Sequence, residues 1–363
     1  MVGTPDIIVM FSGGLDSLLT ALLLKEQGLA VRGLHGVSPF FGDVDAVPRW
    51  REEYGLDIEA LDVGDEFTAM LRQRPAHGFG KVMNPCVDCK ILLLRRARQY
   101  MQAVGAQAIA TGEVMGQRPM SQRRDTLNII ERDAGVKGLL LRPLSARLLA
   151  PTRAEESGLV DRERLLAISG RGRTEQLALA AHFGIRDIPT PGGGCRLAEK
   201  ENARRYWPVL TNLPCAQAQD FALANVGRQF WHTPEDVADV GQHHWLCVGR
   251  NRVDNALLPP LLRQDDLLLE LHDEQGPLAL ARNGRHWPRP LLLEACALMV
   301  SYATAAVARH PGQAMDVRLY DNGGTVEILP VAPERHSHWQ TPAWDDVRAV
   351  IREEARARLG VLQ

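Results

Sequence analysis

Short apolar runs alternate with longer amphipathic ones through the first half of the chain. DIIVMF (6–11) is an apolar run of strand length, and DSLLTALLLKEQG (16–28) has helical spacing and stops at Gly28. LAVRGLHGV (29–37) reads as a second strand, PRWREEYGL (48–56) as a helix and DIEALDV (57–63) as a third strand. PCVDCKILLLRRARQYMQAVG (85–105) is a loop entering a long helix that closes at Gly105. AQAIATG (106–112) and KGLLLRPL (137–144) are two more strands, and TEQLALAAHFG (174–184) is a last helix. Such alternation implies a parallel sheet wrapped by helices, an α/β domain.

Near residue 200 the texture changes. AEKENARRYWPVL (198–210) is charged and its helical pattern meets Pro208. Beyond it HHWLCVGR, DLLLEL, PLALAR, AMDVRLY and TVEILP are strand-like, with helices near 290–308 and 344–358. This is α+β texture, so the expected domains are 1–205 and 206–363. The longest apolar stretch, LLLEACALMVSYATAAVA (291–308), carries Glu294, Ser301 and Tyr302, and reads as a buried helix and not a membrane span.

With 363 residues, 45% hydrophobic and 24% charged, the composition fits a two-domain globular protein. The net charge of −2 argues against a uniformly basic surface but leaves room for a local basic face. The start, MVGTPDIIVMF, lacks the basic region of a secretory signal, so a cytoplasmic location and free thiols are expected for the six cysteines.

The first strand runs into Ser12-Gly13-Gly14, then Leu15, Asp16 and Ser17. In an open parallel sheet, ligands bind beyond the carboxyl ends of strands. Glycines let backbone N–H groups approach an anion, and the next helix adds the positive end of its dipole. Ser12 and Ser17 can add hydroxyls. An acid beside phosphate would repel it, so Asp16 makes sense as a holder of Mg²⁺. Neither G-x-x-x-x-G-K-[ST] nor G-x-G-x-x-G is present. SGGLDS resembles the signature of the PP-loop ATP pyrophosphatases, which cleave ATP between its α and β phosphates and leave AMP on a substrate oxygen. The resemblance implies that Ser12, Gly13, Gly14 and Ser17 cradle pyrophosphate, with Asp16 near Mg²⁺.

NPCVDCK (84–90) places Cys86 and Cys89 where a loop becomes a helix, and PTPGGGCRL (189–197) places Cys195 after three glycines. A helix N-terminus favours the thiolate. Three thiolates can bind three irons of a cubane cluster and leave the fourth free for sulfide, unlike a Cys₄ electron-transfer cluster. A structural zinc would need a fourth ligand, for which His182 is a candidate.

TGEVMGQRPMSQ (111–122) resembles the T-G-E-x-x-G-Q…S-Q segment of tRNA 4-thiouridine synthetases, bringing Gly112 and Gln117 into the nucleotide site. NPCVDC is similar to the N-P-x-x-x-C segment of tRNA 2-thiouridylases. There the last cysteine is catalytic, which maps to Cys89, and a second sits in a late glycine-containing loop, which maps to Cys195. With Cys86 added, the trio resembles that of cluster-dependent tRNA thiolases, whose three cysteines hold a [4Fe-4S] cluster. The resemblance spans about residues 5 to 200. The chain has no room before residue 6 for the N-terminal RNA-binding module of 4-thiouridine synthetases, and no rhodanese domain, so relay through such a carrier is not expected. Two sulfur routes remain: a persulfide on Cys89 or Cys195 resolved by the other, or three ligands with sulfide on the unique iron. The second is favoured because Cys86 has no role in the first.

In the second domain, HHWLCVGRNRVDNALLPPLLRQDDLLLEL (243–271) resembles an RNA-binding domain of ribosome quality-control factors, through VGRN, Asn255 and DLLLEL. Arg250, Arg252, Arg282 and Arg285 are candidates for a phosphate-tracking face, with Trp245 or Trp287 stacking on a base. The other reading is a packing or dimerisation domain with tryptophans in its core. RPMSQRR (118–124) and RERLLAISGRGR (162–173) are arginine-dense and could contact tRNA. Arg142, after a strand, could reach the triphosphate.

The sequence reading is an ATP-dependent tRNA sulfurtransferase making 4-thiouridine or 2-thiouridine, with ATP, Mg²⁺ and a [4Fe-4S] cluster. Its partners are tRNA, sulfide or a persulfide donor, and a second copy of the chain as a homodimer. The alternatives are insertion of sulfur or nitrogen into a small metabolite, and a non-catalytic RNA-binding protein with a degenerate ATP site.

Overall fold

The computed structural model describes residues 3–189, 194–232 and 243–361. They fall into two compact units, divided between Glu199 and Lys200.

In the first unit, β1 (Ile7–Met10) leads into α1 (Leu15–Glu26), and β2 (Val31–Val37), α2 (Val47–Tyr54), β3 (Asp57–Asp62) and α3 (Gly64–Arg72) follow. Next come α4 (Cys86–Val104), β4 (Ala108–Thr111), α5 (Arg124–Ala134), β5 (Leu140–Leu141), α6 (Arg153–Glu156) and α7 (Thr174–His182). The strands form a parallel sheet in the order β3-β2-β1-β4-β5, with Ile7 level with Val31 on one side and Ala108 on the other.

The central strands β1 and β4 are covered on both faces, which is why they are almost continuously apolar. Ile7, Val9 and Phe11 pack with Leu18, Ala21 and Leu24 of α1 and with Trp50 of α2. Ile8 points the other way, among Ile91, Leu94 and Ala97 of α4 and Ile130 of α5. Each such side chain, fully buried, contributes about 1.5–3 kcal/mol. Strand order reverses beside β1, and in open parallel sheets ligands bind beyond the carboxyl ends of the strands at such a point.

The second unit holds α8 (Lys200–Asn212), α9 (Ala218–Ala224), β6 (Arg228–His232), β7 (His244–Val248), α10 (Arg252–Leu257), β8 (Leu267–Leu271) and β9 (Ala279–Arg282). It continues with α11 (Arg289–Val300), α12 (Thr304–Arg309), β10 (Met315–Asp321), β11 (Gly324–Val331), β12 (Trp339–Gln340) and α13 (Trp344–Val361). The sheet is antiparallel, in the order β11-β10-β8-β9-β7-β6-β12. Helix α11 buries Leu291, Ala295 and Leu298 in a core shared with Leu246, Leu269 and Ala281 of the sheet. The stretch at 290–308 is two helices broken at Ser301–Ala303, and no described helix is long and apolar enough to cross a membrane. Helix α8 continues through Pro208.

Two expectations for this unit are corrected. Trp245 and Trp287 are 1% and 6% exposed, so neither offers a face to a base. Trp245 stacks on Trp231 at 5.0 Å and 6°. Arg282 is buried too, paired with Asp266 and, at 3.2 Å, with Asp220, so it cannot track phosphates. A buried arginine needs such acids because an unpaired charge there would be prohibitive.

Candidate active site

The turn after β1 is shaped by its glycines. Gly13 has φ +76°, and a Cβ on it would lie 2.5 Å from the Trp50 ring. Trp50 is fixed edge-on against Phe11 (5.4 Å) and His35 (4.9 Å). His35 is buried, its Nδ1 2.8 Å from the Phe11 carbonyl, while its Nε2 accepts from the Asp43 N–H at 2.9 Å. Burial lowers its pKa, so the ring is a neutral strut with Nδ1–H donating.

Gly14 is the N-cap of α1, and no side chain caps that helix. Its first turn is left for an anion. Ser17 is buried and donates to the Gly14 carbonyl at 2.8 Å while accepting from the Ser12 N–H at 3.1 Å. The serine hydroxyls, 3.2 Å apart, therefore brace the turn.

Asp16 sits on the first turn of α1 with Oδ1 buried and without a hydrogen-bond partner. Burial pushes its carboxyl up, against the Gln117 hydrogen bond and the positive charges of Arg173 and Arg118. A half-buried carboxylate with an orphaned oxygen, beside an open helix N-terminus, fits a magnesium ligand.

The end of β4 packs against this turn. A Cβ on Gly112 would stand 2.5 Å from the Asp16 carbonyl and 2.6 Å from the Ser17 nitrogen. Thr111 donates to Glu113 at 3.3 Å, and Glu113 also pairs with Lys90 and, at 3.0 Å, with Arg142. Burial alone would raise the Glu113 pKa, but the charges and hydrogen bonds of Lys90 and Arg142 prevail and hold it at about 2. Arg142 is 3% exposed and also pairs with Glu131. The structure thus places Arg142 within the fold as a counter-ion of two glutamates.

Helix α4 begins at Cys86, with Cys89 one turn later. The entering loop is pinned by Asp88, which accepts from the Ala76 and His77 N–H groups at 3.0 Å each. Asn84 donates to Cys86 Sγ at 3.1 Å. Cys195 comes to the same place from more than a hundred residues away. The Arg196 N–H donates to the Phe40 carbonyl at 2.9 Å, and the Met83 N–H to the Leu197 carbonyl at 3.1 Å. Thr190, Pro191, Gly192 and Gly193 lie outside the described residues.

The three thiols feel one another's charge. Burial raises the Cys89 pKa first, and Cys195 and Cys86 add to it; burial likewise raises Cys195, to about 11. The expected thiolate stabilisation by the helix N-terminus is thus overridden at Cys89: burial wins over a dipole. Among the described residues the trio does not form a group with all ligand atoms within 4.8 Å of one another. His182 is no zinc ligand here; its Nε2 is 2.8 Å from Glu26 on α1.

The sequence reading did not single out Lys90, Glu113, Trp50 or His35. Lys90 and Glu113 were visible as neighbours of Cys89 and Gly112; Trp50 and His35 had no local signal.

An open parallel sheet with a glycine turn between its first strand and a helix N-terminus is the architecture of a nucleotide-binding domain. More particularly, residues 3–147 match the family model described as thiamine biosynthesis protein (ThiI). The tRNA-specific 2-thiouridylase MnmA of Azoarcus sp. (strain BH72) is 26% identical over 265 residues, covering 67% of each chain. That of Nitratidesulfovibrio vulgaris (strain DP4) is 37% identical over 116 residues, 29% of this chain and 32% of the relative. Among solved structures, the U34-tRNA thiolase NcsA from Methanococcus maripaludis, with its [4Fe-4S] cluster, matches 52% of this chain and 61% of its own at 18% identity and TM-score 0.31.

Proposed function

We propose that the chain is an ATP-dependent tRNA sulfurtransferase that converts a uridine carbonyl to a thiocarbonyl. The observation that carries this reading is the meeting of Cys86, Cys89 and Cys195, from two remote segments, in a unit whose first turn is built for phosphate. The thiouridylase relatives support tRNA as the substrate.

A carbonyl oxygen leaves poorly. In the proposed reaction it attacks the α-phosphorus of ATP, the bond to the β-phosphate breaks, and pyrophosphate departs. Sulfur then adds at the carbon and AMP leaves with the original oxygen. The backbone of Gly13 and Gly14 and the first turn of α1 would receive the departing pyrophosphate, and Ser12 and Ser17 hold that turn in shape. Asp16 would hold Mg²⁺, with Gln117 orienting its carboxylate. Cys86, Cys89 and Cys195 would hold a [4Fe-4S] cluster, which supplies a site for the incoming sulfide when bound. The three thiols are partly buried, which would limit the access of water to the activated base.

The test is anaerobic purification, assay of iron and sulfide, and incubation with ATP, Mg²⁺, sulfide and unmodified tRNA. The expected result is thiouridine in the nuclease digest, with pyrophosphate release stimulated by tRNA. Pyrophosphate release indifferent to tRNA, with no thiouridine formed, would overturn the reading in favour of a small-metabolite substrate.

A further inference from the structure

The second unit gathers histidines that the proposed reaction does not use. His232 ends β6, Glu294 lies on α11 and His338 directly precedes β12. One ligand atom from each lies within 4.8 Å of the other two, the sole such group among the described residues. His338 Nε2 is 2.7 Å from Glu294 Oε2, and the His338 ring stands edge to face with His232 at 4.9 Å. His336 stacks on His338 at 5.2 Å and 19°. We propose that His232, Glu294 and His338 form a binding site for a divalent transition metal of the zinc class.

Three features of the fold carry this. The first is donor chemistry: two imidazole nitrogens and one carboxylate oxygen are a zinc donor set, whereas Mg²⁺ and Ca²⁺ prefer oxygen alone. The second is a rigid frame. Trp339 is level with His232 across the β6–β12 pairing, so His338 is set one residue from that register. Glu294 rides on a helix whose Leu291, Ala295 and Leu298 are buried against the sheet. Sites on strands and helices hold their geometry better than sites on loops. The third is access: Glu294 and His338 side chains are 29% and 25% exposed, open enough for an ion to enter.

Zinc–nitrogen and zinc–oxygen distances of about 2.0–2.2 Å require small side-chain rotations from the present arrangement. The ion takes the place of the proton in the Glu294–His338 hydrogen bond. Three protein ligands leave a fourth position for water or for His336. The bound ion clamps the short strand β12 to β6 and α11, so its role is structural. The site shares no ligand with the cysteine trio, and its donor set differs.

That difference makes it testable. The full-length chain carrying Cys86→Ser, Cys89→Ser and Cys195→Ser, stripped with chelator, is titrated with Co²⁺. One equivalent should bind with ligand-field absorption and no sulfur-to-cobalt charge-transfer band, and Zn²⁺ should displace it. His338→Ala and Glu294→Gln should each weaken binding by more than the ~10–100-fold typical of losing an outer hydrogen-bond partner. His310→Ala, which breaks a separate His310–Glu274 pair, should leave binding intact. No Co²⁺ retained by the triple-serine chain, or equal binding by His338→Ala and Glu294→Gln, would overturn the proposal. Glu294→Gln preserves shape, so it decides the matter if His338→Ala folds poorly. If the serine background folds poorly, the difference titration of the unsubstituted chain against Glu294→Gln reads the same equivalent.

Discussion

Gly112→Ala tests whether the close approach of β4 to α1 sets the catalytic geometry. The added Cβ would meet the Asp16 carbonyl carbon and oxygen at 2.5 Å and the Ser17 nitrogen at 2.6 Å. These are backbone atoms of the first turn of α1, so no side chain can swing aside. Restoring ordinary contact requires the two segments to part by about 1 Å. Overpacking of this kind costs about 1–3 kcal/mol, which a domain of ordinary stability survives. A misplacement of about 1 Å in a reacting constellation costs on the order of 10²-fold in rate. The assay is continuous pyrophosphate release with ATP, Mg²⁺ and tRNA, run beside thermal unfolding. Gly112→Ala should fall about 100-fold in turnover while its melting temperature drops by about 2–4 °C per kcal/mol lost. Gly172→Ala is the control, because nothing lies within 4 Å of its Cβ and its φ is not positive. Turnover of Gly112→Ala within about threefold of the parent would refute the reasoning, since a factor of three is worth well under 1 kcal/mol.

Asp16→Asn keeps the size of the side chain but removes the charge aimed at magnesium, so pyrophosphate release should be lost and excess Mg²⁺ should not restore it; retained release would remove Asp16 from the metal site. Glu113→Gln leaves Arg142 buried with Glu131 alone, and urea unfolding at pH 7 should show a loss of about 3 kcal/mol, the low end for breaking a buried pair. Because Glu113 is held at about 2 against an ordinary 4.5, that contribution is complete above about pH 4.5 and vanishes as pH falls toward 2; an undiminished gap between parent and variant at pH 2 contradicts it. Cys86→Ser should lose bound iron and thiouridine formation yet keep pyrophosphate release, whereas continued thiolation would favour a persulfide shared by Cys89 and Cys195.

Where local patterning set the structure, the sequence was readable. The strand at 6–11, the helix closing at Gly105 and the turn at Ser12–Ser17 follow from apolar spacing and small residues alone. Helices α3 and α5 were passed over although Phe67 and Leu71, or Leu127, Ile130 and Ala134, recur at helical spacing; charged residues between them diluted the signal. Strand β6 (RQFWH) was missed because it is short and flanked by polar residues. In the candidate site, Lys90, Glu113, Trp50 and His35 act through distant partners that no local pattern in the sequence marks. Arg142 follows a strand, as a triphosphate ligand would, but its side chain runs to Glu113 and Glu131, and no local pattern announces such a pairing.

Distant partnership also explains why one short segment, 111–117, matters at both ends of the proposed reaction. Gly112 packs on the first turn of α1, and Gln117 hydrogen-bonds Asp16, so the segment bears on the phosphate end. Glu113, between them, holds Lys90, the residue after Cys89, so it bears on the sulfur end too. A buried carboxylate paired with two cations tolerates little displacement, because moving either cation away leaves charge uncompensated in a low dielectric. In the proposed reaction, the spacing between the glycine turn and the cysteines would therefore be set by a rigid electrostatic link within one domain and not by loop flexibility. In the proposed reaction the carbonyl oxygen is adenylated and sulfur then adds at the carbon that bears it, and a fixed spacing would let the base stay in place between the two steps.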